Sequence, residues 1–177
     1  MGNREIVWVF VLTLTFIGAV TDWRTRKIPN WLTVPGILAG ITLRSVISGW
    51  PGAKASLFGV GLALALLLPL VLMRALGAGD WKLMGAVGAF MGPVLFLFIL
   101  FGSIFASGLM STIHIIKTKR VKETFRNIVE LVRGFAVFGF QPNPEISLDN
   151  PKLLKIPFGI AVAASTAICF VVARLVH

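Results

Sequence analysis

Six long apolar blocks, cut apart by short polar segments, limit what this chain can become. They cover residues 6–20, 32–47, 57–73, 83–91, 94–116 and 153–176. The apolar residues come as blocks rather than amphipathic stripes, so the solvent they imply is lipid. A membrane span needs about 20 residues, or about 17 at the short end. The fourth block is too short alone. The run from 83 to 116 is too long for one span, and Gly92-Pro93 is a natural breaker inside it. The expected fold is therefore all-α: a polytopic membrane protein of about six transmembrane helices, the fourth short and packed inside the protein. A composition of 56% hydrophobic and 14% charged residues, with mean hydropathy +0.89, excludes a soluble domain of 177 residues.

Orientation follows from Lys and Arg. Thirteen of the seventeen can share one face: Arg24, Arg26, Lys27, Arg74, Lys82, Lys117, Lys119, Arg120, Lys122, Arg126, Arg133, Lys152 and Lys155. The opposite face keeps Arg4, Lys54 and Arg174, and Arg44 lies within the second block. This bias predicts that 22–31, 74–82 and 117–155 are cytoplasmic and that both termini are outside, in a multi-pass protein of the inner (plasma) membrane. Trp23, Trp31 and Trp81 fall at the cytoplasmic boundary and Trp8 and Trp50 at the outer one, as in aromatic belts. The positive charge follows the first block instead of preceding it, so that block reads as a retained span and not a signal peptide. The net charge of +10 serves orientation and anionic lipid headgroups, not nucleic acid.

Residues 117–152 form the one sizeable segment outside the membrane. Val121, Phe125, Ile128, Val132 and Phe135 recur at helical spacing, with Lys122, Arg126 and Arg133 off that stripe. This predicts a cytoplasmic amphipathic helix on the inner leaflet, ended by Gln141-Pro-Asn-Pro-Glu145.

Two aspartates stand at the edges of apolar blocks, where a carboxylate is costly to desolvate. Asp22 ends the first block, in Thr21-Asp22-Trp23-Arg24. Asp80 closes Gly77-Ala78-Gly79-Asp80. Of the seven acidic residues, only these two lie beside glycine or proline turns at ends of cytoplasm-facing spans. Each has a structural reading: Asp22 as an interfacial charge paired with Arg24 or Arg26, and Asp80 as a cap where the helix dipole favours negative charge. Together they predict one site, and the chemistry of two convergent carboxylates is acid–base hydrolysis with a shared proton. Gly77 and Gly79 leave backbone unshielded, so a substrate strand can approach. Pro29 turns the chain and Asn30 can cap the second helix. Lys82 can snorkel to headgroups or bias the carboxylate.

Other residues offer less. Cys169 is the only cysteine, which excludes an internal disulfide and every multi-cysteine metal site. Two histidines, His114 and His177, are too few for an ordinary zinc site. Ser103, Ser107 and Ser111 have no paired base and read as helix-packing residues.

Asp22-x-Arg24, then Ile28-Pro29-Asn30-x-Leu32-Thr33, then Gly77-x-Gly79-Asp80-x-Lys82-Leu83 resembles the type IV prepilin peptidases, membrane aspartyl proteases with a GxGD motif. Lys155-Ile156-Pro157-Phe158-Gly159 resembles the family's motif opening the last span. The resemblance implies a single membrane-embedded peptidase domain over 1–177, with Asp22 and Asp80 as the catalytic dyad and no metal or organic cofactor. It implies that the short basic leader of a prepilin or pseudopilin is removed at the cytoplasmic boundary, just before an apolar helix. Larger members carry a cytoplasmic module with paired Cys-x-x-Cys motifs. Here the first block begins almost at Met1, so methyltransferase activity is expected to be absent, as in tight-adherence and preflagellin peptidases.

Two readings of another class compete. A small ion- or proton-coupled transporter would use Asp22 and Asp80 as ligands, but its ionisable residues belong near the midplane. A non-catalytic assembly factor needs no paired aspartate.

Overall fold

The computed structural model describes residues 3–118, 129 and 157–175. Within them all regular structure is helical. Four helices are long and apolar enough to cross a membrane: α1 (Asn3–Thr25), α2 (Asn30–Leu72), α3 (Ala78–Thr118) and α4 (Phe158–Leu175). Lipid offers no hydrogen bonds to the backbone, so blocks of this kind close their bonds internally as helices. The amphipathic helix expected within 117–152 lies almost wholly outside the described residues.

The two longest helices are not straight. Gly49 (φ 60°, ψ −146°) and Gly92 (φ 74°, ψ 177°) leave the helical region inside α2 and α3. Both have positive φ, which only glycine adopts without cost, and a proline follows closely at Pro51 and Pro93. A straight helix would hold residues 44 and 52 about 12 Å apart. Instead, a Cβ on Gly52 would overlap the carbonyl of Arg44. The chain therefore folds back on itself at Gly49.

Side-chain pairings give the order of the arms. Lys82 reaches Asn30, Gly85 lies against Ile37, Ala89 meets Gly40 and Arg44 reaches Phe90. Residue numbers rise together, so the first arm of α2 runs parallel to the first arm of α3. Trp81 donates to the Leu64 carbonyl, Gly59 backs on to Gly88, and Ser56 donates to Ala89. Here the numbers oppose, so the second arm of α2 is antiparallel. Gly59 and Gly88 meet backbone to backbone, as small residues allow between membrane helices. α4 runs antiparallel to α1, with Gly159 at Asp22 and Arg174 paired to Glu5 at 2.6 Å.

The first arm of α3 is the centre of the bundle. Every residue from 83 to 92 is buried, as the sequence led us to expect of the short fourth block. The periphery is apolar in turn: Phe16, Phe58 and Phe105 are 66%, 71% and 76% exposed. Burial corrects two of the belt assignments. Trp8 is in the core, its ring 5.5 Å from that of Phe170. Trp81 is half-buried because its indole N–H is spent on Leu64 at 2.9 Å. Trp23, Trp31 and Trp50 are exposed.

Candidate active site

Three chain breaks meet at one end of the bundle, between α1 and α2, between α2 and α3, and before α4. Three contacts fix this: Asp22 with Gly159, Ile28 with Gly79, and Asn30 with Lys82.

Asp22 sits in the last turn of α1 and is 6% exposed. α1 ends just beyond it, where Arg26 takes positive φ (54°) and its N–H returns to the Asp22 carbonyl at 2.9 Å. The side chain points inward. Its Oδ2 accepts the Gly159 N–H at 2.9 Å. This N–H is one of the unpaired donors at the start of α4, where a negative charge is favoured. A side chain there would press on Asp22 itself. An added Cβ would stand 3.0 Å from the Asp22 Cβ, 3.1 Å from Oδ2 and 3.2 Å from the Gly18 carbonyl.

Asp80 lies in the first turn of α3, which begins as the Trp81 N–H bonds the Gly77 carbonyl at 3.0 Å. Its Oδ1 is buried and has no hydrogen-bond partner among the described residues. Its Oδ2 lies 2.9 Å from where a Cβ on Gly77 would be, so Gly77 leaves room for the carboxylate itself. Gly79 performs a second fitting task. Its missing Cβ would fall 2.9 Å from the Ile28 carbonyl and 3.0 Å from the Ile28 Cβ. The close approach at Gly79 is thus to the chain's own segment before α2.

Packing brings the two carboxylates together. Gly18 lies against Leu83, with its Cβ position 3.2 Å from a Leu83 methyl. Asp22 is one turn outward from Gly18 on α1, and Asp80 one turn outward from Leu83 on α3. Residues three or four apart share a helix face, so both aspartates stand on the same side of that contact. They are close enough for the Asp22 charge to act on Asp80, and the Arg26 charge reaches Asp22.

The other expected residues surround this pair differently. Pro29 is the residue before α2 and makes no side-chain cap. Asn30 is the first residue inside α2, and its Oδ1 accepts from Lys82 Nζ at 2.9 Å. The capping role expected of Asn30 is therefore replaced by a tie between α2 and α3. Sequence reasoning gave no role to Thr33, which is fully buried with a hydroxyl lacking a partner among the described residues. Gly159 was legible only as part of a motif, and its contact to Asp22 spans 137 positions. His114 is exposed and Ser103 bonds the Ile99 carbonyl of its own helix. No group of three or more metal-ligating side chains occurs among the described residues.

A family model described as the type IV leader peptidase family matches residues 8–112, from α1 through most of α3. The chain belongs to that family. Family membership and the four apolar helices make it a protease and a multi-pass membrane protein. The match includes Asp22, Asp80 and every tie between them except Gly159. Nothing matches the chain among curated proteins or solved structures.

Proposed function

We propose that this protein is an aspartic endopeptidase that removes the basic leader of a prepilin-like protein, with Asp22 and Asp80 as its catalytic pair. The observation that carries the reading is the convergence of the two carboxylates, from α1 and α3, in a member of a leader peptidase family.

The division of labour follows from their partners. Two adjacent carboxylates hold one proton between them. Asp22 accepts a backbone N–H at a helix start, an environment made for an anion. Asp80 keeps a buried oxygen without a hydrogen-bond partner among the described residues. In the proposed mechanism ionised Asp22 takes a proton from a water, which attacks the scissile carbonyl. Protonated Asp80 hydrogen-bonds the carbonyl oxygen and then supplies the proton to the leaving amine. The titration belongs to the pair. Gly77, Gly79, Pro29, Asn30 and Lys82 support it by holding the segments before α2 and α3 in register.

The reversals at Gly49 and Gly92 support a six-span topology in one membrane-embedded domain, with α2 and α3 each crossing twice. The site then faces the cytoplasm of a cell with an inner membrane, where the leader of a prepilin is found, and the termini lie outside. Reporter fusions should read cytoplasm at Lys27 and outside at Ala53. An outside reading at Lys27 would refute a cytoplasmic site.

The deciding experiment is incubation with a candidate prepilin followed by mapping of the new N-terminus. A cut directly before the apolar helix is expected. Chelators should leave the rate unchanged. Activity lost on chelation and restored by a divalent ion would recast the aspartates as metal ligands.

A further inference from the structure

At the end of the bundle remote from Asp22 and Asp80 there is a cavity of about 910 Å³ between α1, α3 and α4, reaching the first arm of α2. Its walls are apolar, and Phe98, Phe105 and Ile168 are 66%, 76% and 64% exposed, so it opens sideways at the apolar perimeter. Two guanidinium groups, Arg4 and Arg44, belong to the same cavity.

Arg44 is the unusual one. It lies inside an apolar helix, where a cation is expensive and marks function. One of its donors is accounted for. The break at Gly92 leaves the Phe90 carbonyl near a helix end, and Arg44 Nη1 donates to it at 2.9 Å. A guanidinium has five donors. Arg44 makes no ion pair among the described residues, and Glu5 is paired with Arg174. A half-buried cation with spare donors at the rim of an apolar groove matches an anionic amphiphile. The groove runs between the apolar side chains of α3 and α4, which suits acyl chains lying lengthwise beneath a charged headgroup.

We infer that this groove binds one anionic phospholipid, its phosphate on Arg44 and Arg4 and its acyl chains along α3 and α4. Arg supplies the forked donors that phosphate oxygens accept, and two positive charges select a headgroup of net negative charge over a zwitterionic one. The site is independent of the peptidase reading, and its test reads lipid, not cleavage.

The purified full chain is titrated with phosphatidylglycerol or with phosphatidylcholine of the same acyl chains, and bound lipid is counted by native mass spectrometry. One phosphatidylglycerol should be retained, with phosphatidylcholine about tenfold weaker, the scale of one charge-assisted hydrogen bond. Arg44→Gln should reduce that preference, leaving only the share due to Arg4, and Arg44→Lys should keep more of it. Ala106→Phe, which fills the groove wall without touching either arginine, should weaken both lipids. Equal retention of the two lipids by the native chain would overturn the inference. So would an undiminished preference in Arg44→Gln. If Arg44→Gln does not fold, Ala106→Phe decides alone, and unchanged phosphatidylglycerol retention in it would overturn the site.

Discussion

At the end where Gly49 and Gly92 turn the chain, the half-buried Arg44 binds a carbonyl freed by the helix break, and Glu5 is paired with Arg174. At the other end the buried charges are carboxylates, and the breaks are tied across helices: Asp22 to Gly159, Ile28 to Gly79, Asn30 to Lys82. Both ends use glycine, for different reasons. Gly49 has nothing within 4 Å of its Cβ position, so only its φ demands glycine. Gly79 and Gly159 carry no such φ, and there the demand is space beside Ile28 and Asp22. A turn that only reverses the chain needs a conformation. A turn that builds a site needs close approach as well.

The contrast is broken most directly at the aspartates. Asp22→Asn and Asp80→Asn should each lower prepilin cleavage by about 100- to 10,000-fold, the usual contribution of a positioned acid or base. Membrane insertion and yield should stay near native. Asn keeps the shape and cannot share the proton. The double variant should be little worse than either single one, because the pair acts as a unit. Near-native cleavage by either variant would return both residues to the structural roles of cap and interfacial charge.

The space demand is tested next. Gly159→Ala should reduce kcat by about 100-fold with KM little changed, since a misplacement of about 1 Å in a catalytic group has that cost. Gly79→Ala should act similarly by parting Ile28 from α3. Gly49→Ala probes the opposite case: it strains a positive φ, so stability should fall by about 1 kcal/mol or more while kcat of the folded fraction holds. If Gly159→Ala lost stability and kept kcat, the two ends would be alike.

Much of this was legible beforehand, and the exceptions share a cause. Block lengths and Gly92-Pro93 foretold the breaks and the buried arm at 83–92, because lipid permits few solutions for backbone. The aspartates stood out because charge at an apolar boundary is costly. What escaped were pairings across long sequence distance. Nothing local says that Gly159 meets Asp22, that Trp81 spends its N–H on Leu64, or that Trp8 packs on Phe170. Asn30 was misread for the same reason: its local preference is to cap, and a lysine 52 residues on captures its side chain instead.

That lysine gives the smallest expected effect. Asn30 is exposed and Lys82 half-exposed, so their bond at 2.9 Å is weakened by water. Its net worth should be below about 1 kcal/mol. Lys82 and Asp80 are two residues apart on α3 and so do not face each other, which leaves the ammonium to act through α2 and not on the carboxylate. Lys82→Met and Asn30→Ala should therefore each slow cleavage only a few-fold. The double variant should equal the worse single one, because either change removes the same tie, and a double-mutant cycle reads this directly. If Lys82→Met instead cost as much as Asp80→Asn, and Asn30→Ala cost nothing, Lys82 would act on the carboxylates or on substrate. The line between residues that do chemistry and residues that hold helices in register would then need to be redrawn to include it.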